Sequence, residues 1–141
     1  DEIEFLFSAN KGEPLKSMSQ VISGGEMSRF MLAVKNITAD IDSVDTMIFD
    51  EIDAGVSGRA ALKVASKLKS VSDGKQVLCV THLSQLMSYA DSHYLIEKAV
   101  YDGKTYTGVT LLELEGRKRE IARITSGGEI NFILCKTPKR R

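Results

Sequence analysis

The sequence predicts an α/β fold: a mostly parallel sheet flanked by helices, with a β-hairpin at one end. Two short apolar runs, residues 46–50 and 76–81, are typical of buried parallel strands. An amphipathic helical pattern precedes each run, and this alternation favours right-handed crossovers within one sheet. With 141 residues, 43% hydrophobic and 27% charged, the chain fits one globular domain.

Composition narrows the classes of function. The 19 Lys and Arg residues balance 19 Asp and Glu, so overall charge gives no reason to expect nucleic-acid binding by this segment. No apolar run approaches the roughly 18 residues of a membrane span, so we expect no membrane contact and a cytoplasmic location. Cys79 and Cys135 lack metal-ligand spacing and are predicted to be reduced structural thiols. No Met precedes the opening strand, so a fragment of a longer protein is expected.

The first half of the chain has a strand, a loop and a long helix. Residues 1–7 are predicted to form the strand, and residues 9–22, with Gly12 and Pro14, an irregular loop. Ser23 and Glu26 have the spacing of a capping box, in which each side chain bonds a free backbone N–H at a helix start. An apolar stripe at helical spacing follows and is expected to pack on the sheet: Met27, Phe30, Met31, Val34, Ile37 and Ile41.

The second half continues the alternation. A Gly-containing turn at residues 54–58 precedes a helix over residues 61–71, and a short helix over 83–90 follows the second apolar run. Residues 93–98 and 105–113 are predicted to pair as a hairpin through the Asp102-Gly103 turn. A last helix is predicted over residues 117–125. Residues 131–141 match no pattern and are expected to be a flexible, solvated tail, basic at Lys136, Lys139, Arg140 and Arg141. The alternative for these basic residues is a contact with DNA or another phosphate.

Asp50 and Glu51 end the first apolar strand. Ligands bind at the carboxyl ends of strands in open α/β sheets, because loops and helix N-termini meet there. An aspartate in this place can hold Mg²⁺ through water, and a neighbouring glutamate can activate an attacking water. The alternative is an acidic pair that only ends a strand and begins a turn.

Ser23-Gly24-Gly25-Glu26 begins the long helix and is a candidate phosphate site, because two glycines leave backbone N–H groups open to an anion. The alternative is a plain capping box. Ser126-Gly127-Gly128-Glu129 repeats the same four residues after a helix, where its glycines are better interpreted as a C-cap.

His82 follows the second apolar strand at the same predicted sheet edge, where its ring can donate a hydrogen bond to a phosphate oxygen. Taken alone, a structural histidine is the more frequent case. The helix-start motif, the Asp50-Glu51 strand end and His82 nevertheless follow one another in order, and chance agreement of all three is improbable.

These residues resemble the motifs of ABC-type ATPase heads. Residues 23–26 look like the ABC signature, residues 47–51 like Walker B, and His82 like the H-loop histidine. Residues 50–59 differ from a transporter D-loop and are similar to the RecN family, relatives of SMC proteins. Further stretches that look like this family are residues 5–16, 81–85, 120–123 and 127–128. The resemblance covers about residues 1–130 and implies the C-terminal lobe of an ATPase head.

The resemblance implies a role for each motif residue. Ser23, Gly24 and Gly25, with Glu26 in the same motif, would clamp the γ-phosphate of ATP held by a second head of a homodimer. Asp50 would serve the Mg²⁺ shell, Glu51 would activate water, His82 would sense the γ-phosphate, and Asp53 would act in the D-loop across the dimer interface. Arg29 and Arg59 are possible supporting cations, with solvated helix arginines as the alternative.

The resemblance also implies partners outside this chain. The sequence contains no Gly-x-x-x-x-Gly-Lys-Ser/Thr, so the phosphate-cradling Walker A loop would come from an N-terminal half of the same protein. The implied function is ATP hydrolysis coupled to DNA holding in double-strand break repair and recombination, at the nucleoid, with this chain inactive alone. Two alternatives remain: the nucleotide-binding subunit of a transporter, and a dimerisation module without turnover.

Overall fold

The computed structural model describes residues 3–8, 10–39, 41, 43–127 and 132–137. Helices and strands alternate along most of the chain, as the hydrophobic pattern predicts. In chain order they are β1 (Leu6–Phe7), β2 (Lys16–Ser17), α1 (Met18–Val21), α2 (Gly24–Thr38), β3 (Thr46–Phe49), α3 (Gly58–Ser72), β4 (Gln76–Thr81), α4 (Ser84–Met87), β5 (Ser92–Tyr101), β6 (Lys104–Leu112), α5 (Leu114–Thr125) and β7 (Phe132–Thr137).

The main sheet has five strands in the order β3-β4-β7-β5-β6. The β3–β4 pair is parallel, whereas the other three pairings are antiparallel, so the sheet is mixed and less parallel than the alternation predicts. The predicted hairpin is present as β5 and β6, and it includes the edge strand β6. Asp102 and Gly103 make its turn with φ of 50° and 71°, the left-handed conformation that a two-residue hairpin turn needs.

Strand β7 corrects the expectation of a flexible tail for residues 132–137. It lies between β4 and β5 and pairs with both, so Cys135 is opposite Cys79 on one side and His93 on the other. Burial raises the pKa of both thiols, that of Cys135 to about 12, and both cysteines are free. Lys139, Arg140 and Arg141 lie outside the described residues.

The core lies between the sheet and α3, where Ala61, Ala65, Leu68 and Val71 of the helix are buried. Ile52, in the loop after β3, is 0% exposed and belongs to the same core. The loop that carries the predicted catalytic acid is therefore anchored in the hydrophobic interior at Ile52.

Helix α2 differs from its prediction. Its buried residues are Gly25 and Leu32, and it packs against α3, where Nδ2 of Asn36 donates to the Lys67 carbonyl at 3.1 Å. The predicted sheet-facing stripe is wrong at Ile37 and Ile41, which are 81% and 83% exposed, and Ile41 lies beyond the helix end. Helix α2 packs mainly against α3, so the Ile37 side chain has no sheet to cover it.

The predicted loop over residues 9–22 is shorter than expected. Residues 16–17 form β2, which pairs with β1, and residues 18–21 form the single turn α1. Met18 is buried and its N–H donates to the Phe5 carbonyl at 2.9 Å, so this N-terminal hairpin is tied together at its open end. Within the described residues, no helix combines the length and the hydropathy that crossing a membrane requires.

Candidate functional site

The loop after β3 is held against α2 by two side chains of the helix. Oγ of Ser28 donates to the Asp50 carbonyl at 2.8 Å, and Nη1 of Arg29 donates to the carbonyls of Ile52 and Ala54 at 3.2 and 2.7 Å. Glu51 has φ of 56°, a conformation that L-residues seldom adopt and that surrounding contacts must hold. The loop geometry at Glu51 is thus fixed from the α2 side.

The capping box predicted at the start of α2 is confirmed. The Glu26 backbone N–H donates to Oγ of Ser23 at 3.4 Å, while Oε2 of Glu26 accepts from the Ser23 N–H at 3.0 Å and from its hydroxyl at 2.9 Å. These bonds lower the pKa of Glu26, chiefly through the Ser23 backbone N–H. Both side chains therefore have partners within the helix start.

Gly24 and Gly25 lie directly against the loop after β3. A Cβ on Gly24 would meet Oε2 of Glu51 at 2.6 Å. A Cβ on Gly25 would meet the Ala54 Cβ at 2.8 Å and the Glu51 carbonyl oxygen at 2.9 Å. At Gly25, where the nearest atoms are the Ala54 Cβ and a backbone oxygen, only a residue without a side chain allows this approach between the helix start and the loop.

Asp53 is 5% exposed, and its Oδ2 accepts hydrogen bonds from the Thr81 hydroxyl at 2.6 Å and from the His82 backbone N–H at 3.0 Å. Nδ1 of the His82 ring lies 3.1 Å from the same oxygen. The Asp53 side chain therefore joins the loop after β3 to the loop after β4.

A cleft of about 430 Å³ opens at this edge of the sheet. It brings together seven of the eight predicted site residues, all except Glu26, whose carboxylate bonds Ser23 instead. Its charged lining consists of three carboxylates and His82, which is charged only when protonated; no Lys or Arg lines it. The lining residues are Ser23, Gly24, Gly25, Asp50, Glu51, Asp53, Ala54, Gly55, Val80 and His82.

Sequence reasoning missed the positioning side chains. Ser28, Arg29 and Thr81 contact the cleft loops without lining the cleft, and nothing in their local pattern distinguishes them from ordinary residues of a helix or strand. Arg29 is a possible cation for the ligand on sequence grounds, but its guanidinium donates to loop carbonyls. Arg59 is exposed, as the alternative for that residue predicts.

The second Ser-Gly-Gly-Glu sequence has a different structure, as its context predicts. Gly127 has φ of 80° and its N–H donates to the Ile124 carbonyl at 3.2 Å, so it ends α5. Gly128 and Glu129 lie outside the described residues.

The chain is similar in sequence to bacterial DNA repair proteins. The chain is 50% identical over 139 residues to DNA repair protein RecN of Bacillus subtilis, covering 99% of this chain and 24% of that protein. It is 52% identical over 127 residues to RecN of Deinococcus radiodurans, covering 89% and 22%. This chain resembles a segment of RecN. It spans about a quarter of the length of its RecN relatives, and no protein-family model matches it.

Solved structures similar to this RecN-like chain are ATPase heads of SMC proteins. A head domain of Smc from Pyrococcus yayanosii, solved with a coiled coil and joint, aligns with a TM-score of 0.56 at 25% identity, covering 81% of this chain and 21% of that one. A chain from a study of ATP-driven dimerization and DNA-stimulated activation of SMC ATPases aligns with a TM-score of 0.51 at 25% identity, covering 81% and 68%. The α/β fold is that of an SMC-type ATPase head.

Proposed function

We propose that this chain supplies the signature, Walker B and H-loop residues of a RecN-like ATPase that hydrolyses ATP between two engaged heads. The observation that carries the proposal is the single cleft that gathers Gly24, Asp50, Glu51 and His82 at the strand ends. These residues belong to three motifs that lie apart in the sequence. Motif residues that are far apart in the sequence and close together on one cleft favour a shared functional role over separate structural roles.

Asp50 fits a role in the Mg²⁺ shell. One of its carboxylate oxygens, Oδ1, accepts the Glu51 N–H at 2.9 Å, which orients the carboxylate at the strand end. The described residues contain no group of three or more His, Cys, Asp or Glu side chains able to hold a metal alone. One carboxylate with waters and substrate phosphates is the usual protein contribution to a Mg²⁺ site, where the ion neutralises phosphate charge.

Glu51 is the proposed general base. It is exposed, lines the cleft, and is kept at its unusual backbone conformation by the loop contacts with α2. A carboxylate placed in this way can orient a water and accept its proton as the water attacks the γ-phosphate. His82, at the other loop of the cleft, is the proposed contact to the γ-phosphate.

The charge of the cleft indicates that other segments complete the site. Asp50, Glu51 and Asp53 line it without any Lys or Arg, so a triphosphate would meet repulsion there. We propose that a Walker A half of the same longer protein provides the missing cations. The helix start at residues 23–25 would then contact ATP bound to a second head, as the homodimer requires.

The edge of β3 that has no strand partner among the described strands is a suitable surface for that Walker A half. Strand β3 has a sheet partner on one side only among the described strands, and Ile48 is 69% exposed. Beside it lies an apolar cleft of about 380 Å³ whose lining includes Met27, Met31 and Met47. An edge strand with exposed apolar side chains invites pairing, and we propose that the rest of this head covers it.

The RecN relatives support a function for the whole protein. We propose an SMC-like ATPase of DNA double-strand break repair and recombination, in the cytoplasm at the nucleoid, which contacts DNA through parts outside this chain. The RecN relatives favour this function over a transporter subunit. A dimerisation module without turnover is the remaining competitor, because the cleft lacks cations of its own.

Steady-state phosphate release by the longer protein tests the proposal. Glu51→Gln should lower turnover by about 10²- to 10⁴-fold, the usual cost of losing a general base, while ATP binding is retained. Glu115→Gln is the matched control, since Glu115 is exposed on α5 and pairs with Lys118. Wild-type turnover in the Glu51 variant, or sustained turnover by the isolated chain, would contradict the assignment.

A further inference from the structure

We propose that Ser28 is a positioning residue for Glu51, and that its hydroxyl places the Glu51 carboxylate by fixing the peptide unit that joins Asp50 to Glu51. The proposal rests on the proposed function, in which Glu51 is the general base. It extends that function to a side chain of α2 that does not line the cleft. Its basis is a set of hydrogen bonds around one peptide unit.

The Ser28 hydroxyl has an unusual acceptor for a residue inside a helix. Serine and threonine in helices commonly donate to a carbonyl three or four residues earlier, as Thr38 does to the Val34 carbonyl at 3.1 Å. Ser28 instead donates to the Asp50 carbonyl, 22 residues away in the sequence, at 2.8 Å. Its hydroxyl therefore joins α2 to the loop after β3.

The peptide unit between Asp50 and Glu51 is held at both of its polar atoms. Its carbonyl oxygen accepts from Ser28, and its N–H donates to Oδ1 of Asp50 at 2.9 Å. On the other side of the Glu51 Cα, the Glu51 carbonyl accepts the Ala54 N–H at 2.9 Å. The bonds to Asp50 and Ala54 lie within the loop itself, so the Ser28 bond fixes this peptide unit relative to α2.

These bonds hold Glu51 in a backbone conformation that it would not keep alone. Its φ of 56° lies in the left-handed region, which is costly for an L-residue and persists only where neighbouring contacts impose it. Once the peptide unit before Glu51 is released, φ can return toward negative values. Rotation about φ moves the Cβ and the carboxylate, so the Ser28 bond determines where the carboxylate lies.

The part of the loop that follows Glu51 has anchors of its own. Ile52 is 0% exposed in the core, and Arg29 donates to the carbonyls of Ile52 and Ala54. Loss of the Ser28 hydroxyl should therefore leave the loop anchored after Glu51 and release it only before Glu51. The expected result is a folded protein with a misplaced base.

Two substitutions of the same shape isolate the hydroxyl. Ser28→Thr retains the donor, whereas Ser28→Val carries a methyl group in its place, and both add the same bulk to the helix. In the longer protein, Ser28→Val should lower kcat by roughly 10- to 100-fold with KM for ATP unchanged, since a misplacement of about 1 Å can cost about 10²-fold. Ser28→Thr should retain most of the wild-type kcat. An equal loss of kcat in both variants would overturn the proposal.

Ser88 provides the matched control for general damage to the fold. Its hydroxyl donates to the Gln85 carbonyl at 2.8 Å, the same length as the Ser28 bond, and Ser88 does not line the cleft. Ser88→Thr and Ser88→Val should have equal kcat, and Ser28→Val should unfold at the same urea concentration as Ser88→Val. A midpoint of Ser28→Val far below that of Ser88→Val would assign the loss of kcat to unfolding and refute positioning.

Two further measurements on the longer protein test whether Ser28 acts through Glu51. In a Glu51→Gln background, Ser28→Val should lower kcat almost no further, and an equal loss in both backgrounds would exclude action through Glu51. Without nucleotide, amide hydrogen exchange in peptides that contain Glu51 should be faster in Ser28→Val than in Ser28→Thr, and equal exchange would contradict release of the peptide unit. If exchange differs but Glu51→Gln retains full turnover, the proposed function fails while the structural role of the Ser28 bond stands.

Discussion

The carboxylate of Glu51 occupies the space next to Gly24 that a side chain would need, since a Cβ there would lie 2.6 Å from Oε2. The signature-like helix start and the proposed general base are therefore in contact within one chain. A substitution at either glycine of the motif should therefore disturb the loop after β3. The two glycines contact different groups, so substitutions at Gly24 and Gly25 serve as controls for each other.

Gly24→Ala should reduce ATP hydrolysis by the longer protein while changing the free energy of unfolding by less than about 1 kcal/mol, because the flexible end of Glu51 can move and alanine favours a helix. Gly25→Ala should destabilise the protein by roughly 1–3 kcal/mol, since it meets the Glu51 carbonyl oxygen and the Ala54 Cβ. Urea unfolding and phosphate release separate the two effects. Equal destabilisation by both changes would contradict this contact pattern.

Arg29→Met should destabilise the protein by roughly 1–3 kcal/mol and lower hydrolysis, because two loop carbonyls lose a charged donor. Arg59→Met is the control: Arg59 is exposed, and the change should alter the free energy of unfolding by less than about 0.5 kcal/mol. The measurements are urea unfolding and steady-state turnover. Identical behaviour of the two variants would show that the Arg29 bonds do not hold the loop.

His93 should make stability depend on pH. Its ring is 0% exposed, and burial, reinforced by the nearby Arg117 guanidinium, lowers its pKa from 6.5, although the Met87 carbonyl opposes the shift. Below pH 6.5 the unfolded chain takes up a proton that the folded chain refuses, so stability should fall as pH decreases. His93→Gln retains a hydrogen-bond donor for the Met87 carbonyl and should make the free energy of unfolding depend less on pH. Parallel pH curves for both proteins would exclude this effect.

Locally encoded features were predictable from sequence. Three such features depend on residues close together in the chain, and the structure confirms them. They are the capping box at Ser23 and Glu26, the bounds of β4, and the Asp102-Gly103 turn. The residues of the cleft could be predicted because the carboxyl ends of parallel strands lie at one edge of a sheet, where ligands bind. The spacing of the motifs therefore predicted most of the residues of the candidate site.

Long-range features were not predictable in the same way. Strand β7 pairs with β4 over a sequence separation of 60 residues at Val77 and Thr137, and no local pattern reports such a pairing. The exposure of Ile37 depends on whether α2 rests on a helix or a sheet. Arg29 reaches its carbonyl partners only because α2 packs beside the loop after β3. Asp53 meets Thr81 and His82 only because the loops after β3 and β4 come together.

The most direct test of the central claim is ATP-dependent dimerisation of the longer protein carrying Glu51→Gln, with and without Ser23→Arg. Arginine would place a bulky cation at the helix start in the cleft and remove the N-cap, at a cost of roughly 1 kcal/mol that a melting comparison reports. Ser126→Arg, in the second Ser-Gly-Gly-Glu copy at the end of α5, is the control. We expect dimers with Glu51→Gln alone and with added Ser126→Arg, and monomers with added Ser23→Arg. Full dimerisation of the Ser23→Arg protein would reduce Ser23 to a helix cap and contradict the composite ATP site.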